Sequence, residues 1–119
     1  MTMTAISGDA DVAVGAAASL FRSLGDPTRI RVLQLLADGE HRVVDLTRQL
    51  GLAQSTVSAH CACLRDCGLI ASRPEGRATV YSLAVGAEVR AVLAAAEDLL
   101  AATGAAVALC LTYGEGMGT

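Results

Sequence analysis

Residues 43–70, VVDLTRQLGLAQSTVSAHCACLRDCGLI, carry the pattern that decides the fold. Apolar residues recur at helical spacing up to Leu50, and Gly51 then ends a first short helix. The polar cluster at 54–56 is suited to the start of a second helix, which Gly68 ends. Two helices joined by a short turn that contains glycine are typical of a helix-turn-helix.

The hydrophobic period changes after this pair of helices. Residues 69–73 and 78–83 alternate as strands do, and the PEGR sequence at 74–77 between them is typical of a hairpin loop. A helix-turn-helix followed by a β-hairpin is the layout of a winged helix-turn-helix. The predicted fold is therefore mainly α with a small β-hairpin, arranged as a winged helix-turn-helix.

Helical patterns flank this central part of the chain. From Asp11 to Leu24 apolar residues recur at four-residue steps, and Asp26-Pro27 then starts another helix as N-cap and first helical residue. Residues 87–103 are again helical in pattern. We expect a flexible N-terminal tail over 1–10, the winged helix-turn-helix domain with terminal dimerisation helices over 11–103, and a C-terminal tail with a candidate metal ligand over 104–119.

Length and composition bound the possible functions. A chain of 119 residues buries only a modest core, so we expect a homodimer that buries more surface. Hydrophobic residues make up 53% and charged residues 18%, which excludes disorder for most of the chain. The net charge is −3, and all nine basic residues are arginine. Because a net-acidic protein does not coat nucleic acid indiscriminately, binding to DNA requires a local basic patch.

Three other classes of protein fit poorly. Residues 89–111 are nearly all apolar, but Glu97 and Asp98 in their middle make a membrane span costly, so we expect a dimerisation helix and no membrane partner. Four cysteines are sparse for a disulfide scaffold, and no signal peptide opens the chain, which indicates a cytoplasmic protein with reduced thiols. An enzyme is not expected, because no base accompanies a nucleophile in a recognisable pattern.

The second helix of the helix-turn-helix is expected to enter the major groove of operator DNA. Its short polar side chains reach base edges or phosphates, and arginines near the hairpin tip lie where a wing contacts phosphates or the minor groove. The candidate DNA-binding residues are Gln54, Ser55, Thr56, Ser58, His60, Arg73 and Arg77.

Helical geometry separates the cysteines of the second helix into two groups. At about 100° per residue, Cys63 and Cys67 lie one turn apart on one face, where two thiolates can share one soft ion. Cys61 lies about 200° from Cys63 on the inward face, so we expect it to pack as a small hydrophobe. A third ligand must come from elsewhere, and Cys110 is the only other thiol. The candidate metal ligands are Cys63, Cys67 and Cys110; packing of all four thiols is the alternative.

Three segments resemble the ArsR/SmtB family of metal-sensing repressors. They are LGDPTRIRVLQLL at 24–36, the helix pair at 43–70 and RPEGRATVYSL at 73–83. The resemblance spans residues 16–101 and implies a homodimer that binds its operator when metal-free and leaves it when metal binds.

Subtypes of this family place their metal differently. The thiolate site of arsenic and cadmium sensors is absent, because Arg42 and Val44 stand where its thiols would be. The zinc site after the wing requires histidine, and residues 87–103 contain none. CLRDCGL at 63–69, together with Cys110, resembles the CmtR-type cadmium and lead sensors instead. That resemblance implies Cd²⁺ or Pb²⁺ as effector, with Zn²⁺ or As(III) also suited to three thiolates, and a tail cysteine that reaches the recognition helix of the other subunit.

Other functions remain open at this point. Oxidation of the thiols would make a redox-sensing repressor, with Cys110 as the partner because a bridge between Cys63 and Cys67 within one helix is strained. A cytosolic thiol metal-buffering protein would use the same thiols but needs neither a wing nor a polar helix start. His60 lies on the face of Cys63 and is either a further ligand or a DNA contact.

Overall fold

A computed structural model describes the backbone of residues 3–109 and the side chains of residues 9–109. Cys110 and the rest of the C-terminal tail lie outside the described residues. The elements in chain order are α1 (Met3–Leu24), α2 (Pro27–Ala37), β1 (His41–Arg42), α3 (Val43–Leu50), α4 (Gln54–Asp66), β2 (Ile70–Glu75), β3 (Ala78–Leu83) and α5 (Gly86–Ala102).

The first helix is longer than the sequence pattern predicts. Helix α1 begins at Met3, ahead of the helical pattern that starts at Asp11, and the flexibility of residues 1–10 stays a prediction. This N-terminal stretch has no apolar stripe, but it contains alanines of high helix propensity and no proline that would stop the helix. The start of α1 is therefore helical although its sequence has no amphipathic period.

The helix boundaries around the helix-turn-helix follow local chemistry. The Asp26 carboxylate accepts hydrogen bonds from the backbone N–H groups of Thr28 at 2.8 Å and Arg29 at 3.2 Å, which confirms it as the N-cap of α2. Gly51 ends α3 in the left-handed conformation at φ +68°, where a side chain would be strained. Helices α3 and α4 follow each other across this turn as the sequence predicts.

The hairpin belongs to a three-stranded antiparallel sheet in the order β1-β3-β2. Strand β2 extends to Glu75, which pairs with Ala78, so the turn contains two residues rather than the four of the predicted loop. Gly76 adopts φ +63°, which the first central position of such a turn requires, and Pro74 is tolerated because β2 is an edge strand. Strand β1, in which His41 pairs with Tyr81, has only two residues and no periodic pattern that predicts it.

The core lies where α2 meets α3, α4, α5 and the sheet. Its largest fully buried side chains belong to α2, α3 and α4; they are Leu33, Leu46, Leu64, Val32, Val57 and Cys61. These residues fix α4 against the rest of the domain. The outer face of α4 is thereby left to the candidate functional side chains.

The two terminal helices leave apolar side chains in solvent. On α1, Val12, Val14 and Phe21 are 72%, 68% and 65% exposed, and on α5 Leu99 is 68% exposed. Single exposed apolar residues are ordinary, but several on each of two helices are typical of helices that a second molecule covers. Among the described residues, no helix has both the length and the apolar character needed to cross a membrane.

Candidate metal centre and nucleic-acid interface

Two thiols meet at the C-terminal end of α4. Cys67 is the C-cap residue, and its N–H donates to the Cys63 carbonyl at 3.2 Å, so helical spacing persists from one thiol to the other. The Oγ of Ser23 on α1 lies 2.8 Å from Cys67 Sγ and 3.6 Å from Cys63 Sγ. Both sulfurs therefore face the same hydroxyl. Two side chains that bind one metal ion need the same kind of arrangement, with both sulfurs directed at a common point.

The thiols open into a groove between α1 and α4. The groove has a volume of about 650 Å³ and is accessible from solvent. Cys67 is exposed and Cys63 is partly exposed, so an ion from solution can reach both sulfurs. The residues that line the groove are Ser19, Arg22, Ser23, Arg29, Ala59, Ala62, Cys63, Asp66 and Cys67.

The pair of thiols is incomplete on its own. Within residues 3–109, no group of three or more His, Cys, Asp or Glu side chains is placed to hold a metal ion. Cys110, the predicted third ligand, lies outside the described residues. Its neighbour Leu109 is held at both backbone groups: Gln34 Nε2 donates to its carbonyl at 2.6 Å, and its N–H donates to the Glu97 carboxylate. The chain thus enters the tail from a fixed point beside α2 and α5.

Cys61 is separate from this site. Its side chain is 0% exposed and belongs to the core, which confirms the predicted packing role. Burial raises the pKa of the Cys61 thiol to about 11, against a lowering effect of Arg65. The thiol is therefore neutral at physiological pH and points away from any ion bound by the other two.

His60 is turned toward the start of α2. Its side chain is 20% exposed, and its Nδ1 lies 4.0 Å from the Asp26 carboxylate. Desolvation raises the pKa of Asp26, but the hydrogen bonds from Arg29 and Thr28, with His60 nearby, hold it below its ordinary value. In this geometry the His60 ring lies beside the cap of α2.

The first turns of α4 present the predicted polar surface. The side chains of Gln54, Ser55 and Thr56 are exposed, and that of Ser58 is partly exposed. Buried Val57 and Leu64 anchor the opposite face of the helix. This orientation leaves the short polar side chains on the outside of the domain, where a DNA groove can receive them.

The two arginines of the wing differ in their surroundings. Arg73 lies within β2, opposite Val80, and its guanidinium lies 2.5 Å from Glu40 and 3.6 Å from Glu75. The hydrogen bond that Arg73 Nη2 donates to the Glu40 carboxylate raises the pKa of Arg73 above its already high value. Arg77 lies in the exposed turn, and within residues 3–109 no ion pair joins it to a carboxylate. Of these two arginines, Arg77 is the one that lies in the hairpin turn and has no carboxylate partner among the described residues.

Sequence reasoning missed the partners of these residues. Ser23 contacts thiols 40 and 44 positions away, and Glu40 meets Arg73 only because β1 completes the sheet. No local pattern marks a serine at the end of an amphipathic helix as a neighbour of two cysteines. Glu75 lies in the predicted loop, where its pairing with both Arg42 and Arg73 depends on strand register.

Comparisons with known proteins identify the family and agree with the fold. The sequence profile of bacterial regulatory proteins of the arsR family matches residues 26–72. A probable mercury resistance operon repressor from Streptomyces lividans is 39% identical over 101 residues, which cover 85% of this chain and 79% of that protein. The chain belongs to the arsR family. The predicted family is thereby confirmed, and the protein is a transcriptional regulator rather than an enzyme.

Two further similar proteins bear on the fold. The transcriptional regulator CmtR of Mycobacterium tuberculosis is 49% identical over 69 residues, 58% of each protein. Its NMR structure, described as that of a cadmium metal-sensor, has a TM-score of 0.54 at 47% identity and covers 63% of this chain and 78% of that one. A Mycobacterium bovis structure, described as a homodimeric winged helix-turn-helix DNA-binding domain, has a TM-score of 0.67 at 28% identity, with 75% and 82% covered. The predicted winged helix-turn-helix is confirmed.

Proposed function

We propose that this protein is a metal-responsive repressor whose metal-free homodimer binds operator DNA and is released by a thiophilic heavy metal. The observation that carries the proposal is the convergence of Cys63 Sγ and Cys67 Sγ on one hydroxyl, at 3.6 and 2.8 Å, on the helix that faces DNA. Thiolates select soft ions over Mg²⁺ or Ca²⁺. The effector is Cd²⁺ or Pb²⁺, with Zn²⁺ or As(III) as alternatives, in line with the cadmium-sensing relative.

Cys110 completes the ligand set in this proposal. Two thiolates leave an ion with an open coordination shell, and the described residues of one chain place no third donor beside them. What supports this assignment is that Cys110 is the one remaining thiol of the sequence besides the buried Cys61. Cys63, Cys67 and Cys110 together would form an all-thiolate site.

DNA binding is assigned to α4 and the wing. In a dimer two copies of α4 lie about one DNA turn apart and read a pseudo-palindrome. Gln54, Ser55, Thr56 and Ser58 face the major groove, and Arg77 contacts the backbone beside it. The exposed apolar residues of α1 and α5, and the homodimeric M. bovis relative, support the dimer. A regulator of this kind acts on DNA in the cytoplasm.

Release follows from the position of the ligands. Cys63 and Cys67 lie on the recognition helix itself, so their engagement with the tail fixes the end of that helix. The metal-bound dimer is then stiffened or tilted into a geometry that fits the operator poorly. Its affinity for DNA falls by the factor by which the metal binds the free protein more tightly than the DNA-bound protein.

Replacing Cys110 with serine tests the ligand set. Cd²⁺ is titrated into a complex of the protein with an operator selected by the protein from random duplexes, and DNA release is followed by fluorescence anisotropy. The Cys110→Ser variant should need far more Cd²⁺ for release, whereas Cys61→Val, which alters a packing thiol, should behave as wild type. Unchanged release by Cys110→Ser would rule out the tail ligand. Release by peroxide in metal-free buffer, with matching thiol loss, would favour the redox-sensing alternative.

A further inference from the structure

Ser23 is the most deeply buried described side chain of α1, although it is polar. It is 4% exposed, while Val12, Val14 and Phe21 on the same helix are largely in solvent. A buried hydroxyl needs a hydrogen-bond partner, and the partners of Ser23 Oγ are the two sulfurs of α4. The one buried polar side chain of the described part of α1 therefore lies against both candidate metal ligands.

We infer that Ser23 is a positioning residue of the metal site, whose hydroxyl holds the Cys63 and Cys67 thiols in the convergent arrangement that one ion needs. This inference rests on the proposed function. A cysteine side chain has three staggered rotamers, so two independent thiols converge in only some of their combinations. A hydroxyl within reach of both sulfurs favours the convergent combination before any ion arrives.

The same hydroxyl keeps a role once the thiols act as ligands. A serine O–H donates to a thiolate, and hydrogen bonds to charged acceptors are stronger than neutral ones. Partners that orient metal ligands in this way contribute about 10- to 100-fold to metal affinity. Ser23 would therefore raise the affinity of the thiol pair without itself binding the ion.

The backbone at Ser23 is held independently of its side chain. Arg29 Nε donates to the Ser23 carbonyl at 2.8 Å, and Arg29 Nη2 donates to the Arg22 carbonyl at 3.3 Å. These bonds persist when the hydroxyl is removed, so α1 stays anchored beside α2 in a Ser23→Ala variant. The loss of the hydroxyl is then separable from a loss of fold.

The test measures Cd²⁺ affinity by the thiolate-to-metal charge-transfer absorption, in competition with a chelator of known affinity. Ser23→Ala should bind Cd²⁺ about 10-fold more weakly than wild type or worse. Ser23→Thr, which keeps the hydroxyl, should restore the affinity. Ser19→Ala is the matched control, because it removes a hydroxyl from the same groove one turn earlier, where the side chain is exposed, and should match wild type.

Wild-type Cd²⁺ affinity in Ser23→Ala, or an affinity of Ser23→Thr as weak as that of Ser23→Ala, would overturn the inference while leaving the proposed function intact. If wild type itself shows no charge-transfer band with Cd²⁺, the proposed function fails and the inference fails with it.

Discussion

Replacing Arg77 with alanine should change how DNA binding depends on salt. Arg77 lies exposed in the hairpin turn, and among the described ion pairs none involves it. Its charge is therefore available to a phosphate. Arg73 is already neutralised by Glu40 at 2.5 Å and by Glu75 at 3.6 Å, so a phosphate has to compete with two carboxylates for it.

The size of the effect follows from counterion release. Each phosphate contact contributes about 0.9 to the slope of log K against log salt, so the loss of Arg77 from both subunits of a dimer should flatten that slope by about 1.8. Arg73→Ala should flatten it by less. Glu40→Gln, which removes the nearer partner of Arg73, should steepen it, because the guanidinium becomes available to the DNA backbone.

The assay is fluorescence anisotropy with a selected operator duplex at several salt concentrations, for wild type and the three variants at one pH. Circular dichroism checks that each variant is folded. Equal flattening by Arg73→Ala and Arg77→Ala would refute the reasoning, since it would mean that the ion pairs of Arg73 do not withhold it from DNA. An unchanged slope in Arg77→Ala would refute the placement of the wing tip on a phosphate.

The remaining predictions concern the core. The thiol of Cys61 should resist alkylation at about pH 8 in the folded protein while Cys63 and Cys67 react, as mass spectrometry would show; equal rates would contradict its burial. Because burial raises the pKa of Cys61 from 9.0 to about 11, the free energy of unfolding should fall as pH rises through that interval, and less so in Cys61→Val. Leu33→Ala, at a fully buried site, should lower that free energy by about 2–5 kcal/mol in urea at fixed protein concentration. Val44→Ala, at a 43% exposed site, should change it by under about 0.5 kcal/mol; equal losses would contradict the core assignment.

Features set by neighbouring residues were predictable from the sequence. The N-cap at Asp26, the helix end at Gly51 and the helical spacing of Cys63 and Cys67 each depend on a few consecutive residues. The burial of Cys61 followed from the 3.6-residue period of α4. These local rules were sufficient for the fold class and for placing Cys63 and Cys67 one helical turn apart.

Features set by distant contacts were not predictable. The two residues of β1 carry no period, so the third strand and the pairing of Glu40 with Arg73 had no sequence signal. Ser23 is a polar residue in an amphipathic helix, and only the packing of α1 on α4 shows its contact with the thiols. The assignment of Cys110 stays a prediction, since that residue lies outside the described part of the chain.

The central claim is that the thiols of the DNA-facing helix release the operator when they bind a thiophilic ion. The most direct measurement titrates Cd²⁺ into the operator complex and records anisotropy and charge-transfer absorption in the same samples, for wild type and Cys67→Ser. We predict that in wild type both signals change together and saturate at the same metal-to-dimer ratio, and that in Cys67→Ser neither changes in that range. Release of DNA from Cys67→Ser at the wild-type Cd²⁺ concentration would contradict the account.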